Sequence, residues 1–261
     1  MGVNLARSPN AVRRIAIIGG SGLQTLDNFD IKEVVDCPSE WGEPSSPVYR
    51  GYLEGNEIFF MPRHGGQQAI PPHKVNYRAN IAALEQLGVE SILAFNAVGG
   101  ITATYGSGVL AVPDQIVDYT WGREHTFWSD KNGDLLLVEF AYPYDQNLRN
   151  ELLSSAKKIN ITLQDGGVYG ATQGPRLESA AEIIRLEKDG CDIVGMTGMP
   201  EAALAREKNI PYACLALVVN PAAGKSTELI SMDDIRAVMA EGIPRAQQVL
   251  SASVAELIAG P

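Results

Sequence analysis

The sequence predicts a single α/β domain, a central mixed and largely parallel sheet flanked by helices. Three observations carry that expectation. Short, wholly apolar runs of strand length alternate with longer segments whose apolar residues recur at helical spacing. No Pro/Gly/Ser-rich linker, internal repeat or low-complexity tract divides the 261 residues, a length that one large α/β domain accommodates. Glycine-rich or polar stretches fall just after three of the apolar runs, at 19–22, 96–100 and 220–224, and open α/β sheets hold their ligands at such strand ends. Residues 1–12 read as a disordered leader and 13–261 as the domain.

Taken in order, residues 14–18 form a β-branched run that stops at Gly19-Gly20, a buried strand feeding a turn. Residues 58–61 are a second strand, closed by Pro62. Residues 76–87 have helical periodicity and stop at Gly88, which can adopt the left-handed conformation that ends helices. Residues 91–95 read as a buried strand and 111–117 as a further one. In the second half, 167–171 and 192–196 read as strands, 179–188 and 200–208 as helices. Residues 212–219 form a continuous apolar strand ending at Asn220. Residues 233–259 form a long amphipathic helix that Pro244 could interrupt.

Composition narrows the function class. With 45% apolar and 20% charged residues the chain is ordinary globular material. A net charge of −10 argues against a general nucleic-acid binder, which would show basic stripes. The three cysteines, Cys37, Cys191 and Cys214, are widely spaced with no CxxC, so neither a disulfide framework nor a metal site is expected, and a reducing cytoplasm is. No apolar stretch is long enough to span a bilayer, and the polar N-terminus lacks the apolar core of a signal peptide.

Several motifs carry chemistry. Gly19-Gly20-Ser21-Gly22 lets a backbone approach an anion while Ser21 adds a hydroxyl, although a tight turn without a ligand would read the same. It is neither a Walker A loop nor a complete GxGxxG, since Thr25 stands at the third glycine. Arg63-His64-Gly65 offers a guanidinium fork matched to phosphate oxygens and a histidine donor. Asn96-Ala97-Val98-Gly99-Gly100 could supply backbone N–H groups to an anion or a sugar. Thr197, before a helix, could bind an anion or cap that helix. Gly174-Pro175-Arg176-Leu177-Glu178 is a rigid turn bearing a carboxylate, and Asn220 is a polar amide ending a buried strand, which must find partners.

Taken together, the segments IIGGSGL, RHG, PPHKVNYRAN, GPRLES and MTGMPEAALARE make the chain resemble the trimeric purine nucleoside phosphorylases, in the branch that contains methylthioadenosine phosphorylase. The resemblance runs from about Ile15 to the terminal helix. It implies a nucleoside phosphorylase fold, a homotrimer, and phosphorolysis of a purine nucleoside with phosphate as second substrate and no metal or organic cofactor. It implies further that Ser21, Arg63, His64, Thr197 and the backbone of Ala97 bind phosphate. Met196 would pack beneath the ribose, Leu177 beside the base, and Glu178 and Asn220 would recognise the base and act in catalysis. Family trimers complete each site from a neighbouring subunit, for which Phe140, and secondarily His125, are the candidates.

Departures from the branch sharpen the substrate. Methylthioadenosine phosphorylases have Asp where this chain has Asn220, a second Asp where it has Ala222, and Ser where it has Glu178. A Glu178 carboxylate would accept from N1–H of a 6-oxopurine and repel the N1 lone pair of adenine. The Asn220 amide can donate near N7 and O6. Mismatched groups of this kind in a buried site discriminate by about 10⁴ or more. The 6-oxopurine phosphorylases place a histidine near the 5′-hydroxyl, whereas the corresponding segment here is Leu229-Ile230-Ser231-Met232-Asp233-Asp234-Ile235. Met232 and Ile235 would suit an apolar 5′ substituent. The expected substrate is therefore 5′-methylthioinosine, with methylthioadenosine or inosine as alternatives. A nucleoside hydrolase would not need the phosphate set, a dehydrogenase would need the third glycine, and a nucleoside-binding module would need no phosphate cradle.

Overall fold

The computed structural model describes residues 13–66, 69–129 and 137–260. The leader expected over 1–12 lies outside the described residues. Among these, eleven strands form one mixed sheet: β1 Ile15–Gly19, β2 Phe29–Val35, β3 Val48–Leu53, β4 Asn56–Pro62, β5 Ser91–Gly100, β6 Leu110–Val112, β7 Gln115–Asp118, β8 Gln164–Asp165, β9 Val168–Ala171, β10 Ile193–Gly195 and β11 Tyr212–Pro221. Five helices flank it: α1 Tyr77–Gln86, α2 Gln146–Lys158, α3 Ala180–Lys188, α4 Glu201–Glu207 and α5 Met232–Ala259.

β1 is buried at all five positions because both faces of the sheet are covered. Its side chains alternate between two cores. Ala16 and Ile18 pack on the side of α1 and α4, while Ile15 and Ile17 pack on the side of α2 and α5. Local signals start the helices. Asn76 accepts from the Ala79 N–H ahead of α1, and Ser179 and Glu182 form a reciprocal capping box at α3. Helix α5 runs through Pro244 without ending. Its inner face, including Ala246, Val249, Leu250 and Val254, is wholly buried, and that packing outweighs the one hydrogen bond Pro cannot make.

The strand that organises the site is β5. Along one edge it pairs in parallel with β11 from Ile92 to Gly100. Along the other it pairs with β1 only as far as Ala94, and then antiparallel with β10 at Gly99 and Gly100. The sheet therefore forks, leaving an unpaired stretch of β5 edge at residues 95–98. β4 lies parallel to β1 and ends beside it, with Gly19 opposite Pro62. The ends of β4, β1, β5 and β11 thus open onto one place.

Three expectations are corrected here. Residues 96–100 and 220–221 are not loops after strands but continuations of β5 and β11, with a bulge between Val218 and Asn220. The single strand expected over 111–117 is two, β6 pairing with β11 and β7 with β9, because Pro113 interrupts it. The expected break at Pro244 is absent.

Candidate active site

At the fork lies a cavity of about 480 Å³, a size suited to a small-molecule ligand. One end is built from the strand termini. Ser21 follows β1, Arg63 and His64 follow β4, and Ala97 and Val98 belong to the unpaired edge of β5. Thr197 and Met196 come from the turn between β10 and α4. Gly20 is required for the approach of these strands, since a Cβ there would stand 2.5 Å from the Phe95 carbonyl oxygen and 2.7 Å from Arg63 Nη1.

Arg63 is wholly buried and its guanidinium is held on three sides. Nε donates to Glu201 Oε2 at 2.7 Å, Nη2 to Glu201 Oε1 at 2.7 Å and to Asn96 Oδ1 at 3.5 Å, and Nη1 to the Phe95 carbonyl at 2.9 Å. A guanidinium has five N–H donors, so one on Nη1 remains for a ligand. Burial disfavours the charge, but the adjacent Glu201 carboxylate overrides it and holds Arg63 above the usual arginine range. Glu201 in turn accepts from the Tyr212 hydroxyl at 2.8 Å. Asn96 donates to Thr197 Oγ1 at 2.7 Å, fixing that hydroxyl's acceptor side and leaving its own hydrogen free to point elsewhere. Alternate residues of a strand turn their backbone groups to the same edge. With the Phe95 carbonyl turned to Arg63, the backbone of Ala97 faces the same gap.

Two sequence readings change at this end. Thr197 does not cap α4, whose N-cap is Pro200 with no side-chain bond. His64 was expected to donate. Its Nδ1 lies 2.8 Å from the Ile70 carbonyl oxygen, an acceptor, so the neutral ring carries its proton there and offers Nε2 as a lone pair. Burial first, and the Arg63 charge second, push the His64 pKa below its ordinary value and keep the ring neutral.

The other end of the cavity is built from loops and a helix start. Glu178 and Leu177 arrive on the turn after β9, and Asn220, Ala222 and Ala223 at and beyond the end of β11. Glu178 Oε1 accepts from the Thr172 hydroxyl at 2.6 Å, while Asn220 Nδ2 donates to the Pro221 carbonyl at 2.6 Å and keeps a second N–H. Gly174, at φ +63, lets the turn lie on Met196, whose Sδ would be 2.4 Å from a Cβ there. The segment entering α5 and its first turns contribute Ile230, Met232, Ile235 and Met239, with the Arg236 side chain among them and no histidine. All the residues expected on substrate line this one cavity except Phe140, which packs against the core beneath α1 and α4. His125 also lies away from it, beside Asp118 and Thr120.

Sequence reading missed Glu201, the Asn96 side chain, Tyr212 and Thr172. A buried arginine requires a carboxylate, and Glu201 was the charged residue inside the otherwise apolar start of α4, so the signal existed. Among the described residues no group of three or more His, Cys, Asp or Glu side chains could hold a metal ion, and no helix is long and apolar enough to cross a membrane.

The cavity thus opens at strand ends, with a buried guanidinium and a hydroxyl at one end and a carboxylate and an amide at the other. The chain belongs to the phosphorylase superfamily, whose profile matches residues 14–255. It is 52% identical over 242 residues to a probable S-methyl-5′-thioinosine phosphorylase of Pseudomonas syringae pv. tomato, covering 91% of this chain and 98% of that one. It is 38% identical over 244 residues to a probable 6-oxopurine nucleoside phosphorylase of Dictyoglomus turgidum, covering 94% and 92%. Among solved structures, the methylthioadenosine phosphorylase from Schistosoma mansoni in complex with adenine superposes with a TM-score of 0.91 at 31% identity, covering 95% of this chain and 93% of that one. The fold is thus the nucleoside phosphorylase fold, and the protein is an enzyme of the purine nucleoside phosphorylase type.

Proposed function

We propose that the protein cleaves S-methyl-5′-thioinosine with inorganic phosphate, yielding hypoxanthine and 5-methylthioribose 1-phosphate. The observation that carries this reading is the pairing, in one cavity, of Glu178 and Asn220 with the apolar side chains of Ile230, Met232, Ile235 and Met239, beside which Arg236 also lines the cavity. Phosphate sits at the fork, receiving donors from Arg63, Ser21, Thr197 and the Ala97 backbone. A phosphate hydroxyl, where present, donates to the neutral His64 Nε2. One oxygen of hydrogen phosphate attacks C1′ as the C1′–N9 bond breaks, and the bonding electrons leave on the purine. The purine anion takes up one proton, balanced by the one that hydrogen phosphate gives up, to become hypoxanthine. The positive charge that develops on the sugar is stabilised by the phosphate held beneath it. Asn220 Nδ2–H donates to N7, where negative charge develops on the departing base, while Glu178 accepts from N1–H and fixes the orientation of the base.

Met196 packs against the ribose, Leu177 against the base, and Ala222 leaves room that a larger side chain would fill. A homotrimer in which Phe140 reaches a neighbour's site fits the family resemblance, as do phosphate as sole co-substrate and a role in salvage. Three separate buried thiols, Cys37, Cys191 and Cys214, suit a reducing cytoplasm. The test is kcat/KM for methylthioinosine, inosine and methylthioadenosine at saturating phosphate. Methylthioinosine should be preferred over both; preference for methylthioadenosine would overturn the base assignment, and preference for inosine the 5′ assignment.

A further inference from the structure

Strands β9 and β10 pair in parallel only to Ala171 and Gly195, after which the chain bonds once more, Thr172 N–H to the Gly195 carbonyl at 2.8 Å. Beyond that point the two segments diverge. One becomes the turn bearing Leu177 and Glu178, the other the turn bearing Met196 and Thr197. Their separation sets the distance between the base end and the sugar and phosphate end of the cavity, and no sheet bond controls it.

Arg123 spans this gap. It comes from the segment after β7, far from both turns in sequence. Its Nη1 donates to the Met196 carbonyl at 2.8 Å and the Met199 carbonyl at 2.6 Å, and Nη2 to the Thr172 carbonyl at 3.1 Å and the Gln173 carbonyl at 2.8 Å. Nε donates to Gln173 Oε1 at 3.1 Å, and the guanidinium lies 5.4 Å over the Tyr77 ring. Two nitrogens of a rigid plane thus grip two backbones, one each. A lysine offers three donors from one nitrogen and lacks the rigid fork that spaces the two backbones.

We propose that Arg123 is a positioning residue for the reaction: it touches no substrate, and sets the spacing of the two walls that do. The link to the base runs through Thr172, whose carbonyl Arg123 holds and whose hydroxyl orients Glu178 at 2.6 Å. The link to the other end runs through the Met196 carbonyl, next to Thr197. The inference rests on the site assignment made above.

The experiment compares wild type with Arg123→Lys, Arg123→Met and Thr172→Val. Displacing reacting groups by about 1 Å costs on the order of 10² in rate. Both Arg123 variants should lose about that much in kcat/KM and raise KM for nucleoside and phosphate together. Thr172→Val should narrow the preference for methylthioinosine over methylthioadenosine about 10-fold and leave the phosphate KM unchanged. Amide hydrogen exchange supplies a readout independent of turnover. In Arg123→Lys, residues 172–178 and 196–200 should exchange faster together while β1 and α5 do not. Arg123→Lys with wild-type kinetic constants, or with unchanged exchange in both segments, overturns the proposal. An inactive wild type would overturn the substrate assignment instead, and the exchange pattern would still decide the role of Arg123.

Discussion

The two ends of the cavity are made of different material. The end assigned to phosphate is anchored in the core: Arg63 and Glu201 are fully buried, Asn96 and Thr197 nearly so, and each of these four is held by another from a different strand or helix, while His64 is half-buried and Ser21 exposed. The other end is more exposed. Leu177 is 45% exposed and Met232 58%, although Ala222 and Ile235 are buried; Glu178 sits on a turn and Asn220 at the end of β11, with one short hydrogen bond each. On the proposed assignment, the groups for phosphate are tied into the fold, where displacement would disturb the sheet, whereas Leu177 and Glu178 lie on a turn that can change at less cost to the core.

The contrast can be broken at several points, from the largest effect to the smallest. Arg63→Met removes the buried guanidinium assigned to phosphate and should lower kcat/KM on the order of 10³-fold with methylthioinosine, measured by hypoxanthine release on the folded fraction, because it also strands Glu201. Glu201→Gln should act chiefly on the fold. Leaving Arg63 charged and unpaired in the core costs about 3–5 kcal/mol, which for a chain of this size lowers Tm by about 10 °C. A Tm within a degree or two of wild type would show that the pair is not the anchor described here. Asn220→Asp should leave Tm unchanged and shift the ratio of kcat/KM toward methylthioadenosine on the order of 10²-fold. No shift would remove Asn220 from base recognition. Met232→Ser should cost roughly 10-fold with methylthioinosine and less with inosine, since one apolar contact at a 5′ pocket is worth about 1–3 kcal/mol.

The smallest effect is in pH. His64 is held neutral, its folded pKa below the ordinary histidine value. A depressed histidine binds protons more readily in the unfolded chain, so its contribution is full above the ordinary range near 6.5 and is lost as pH falls below it. Unfolding free energy should therefore fall with acidification by at most about 1.4 kcal/mol per pH unit on this account. His64→Gln should flatten that part of the profile, and an identical profile would assign the acid sensitivity elsewhere.

The two ends also differed in how far they could be read from residues alone. Wholly apolar runs located β1, β5 and β11, and their polar continuations located the site. The family resemblance put Ser21, Arg63, His64 and Thr197 on phosphate, and all four line one cavity. What stayed hidden was pairwise and distant in sequence. Glu201 lies 138 residues from Arg63, Thr197 lies 101 from Asn96, and Arg123 grips carbonyls up to 76 positions away. A charge in an otherwise apolar helix start marks Glu201 as needing a partner, but no local pattern says which residue that partner is, because the pairs form only when the strands assemble. The fork in β5 was equally unreadable, since β10 joins it antiparallel after β1 has ended, a matter of register rather than composition.

The most direct test is the initial rate of hypoxanthine release from methylthioinosine as phosphate is varied. The account requires a saturable rise from no release without phosphate, with one methylthioribose 1-phosphate formed per hypoxanthine. Release at an undiminished rate in phosphate-free buffer, yielding free methylthioribose, would contradict it.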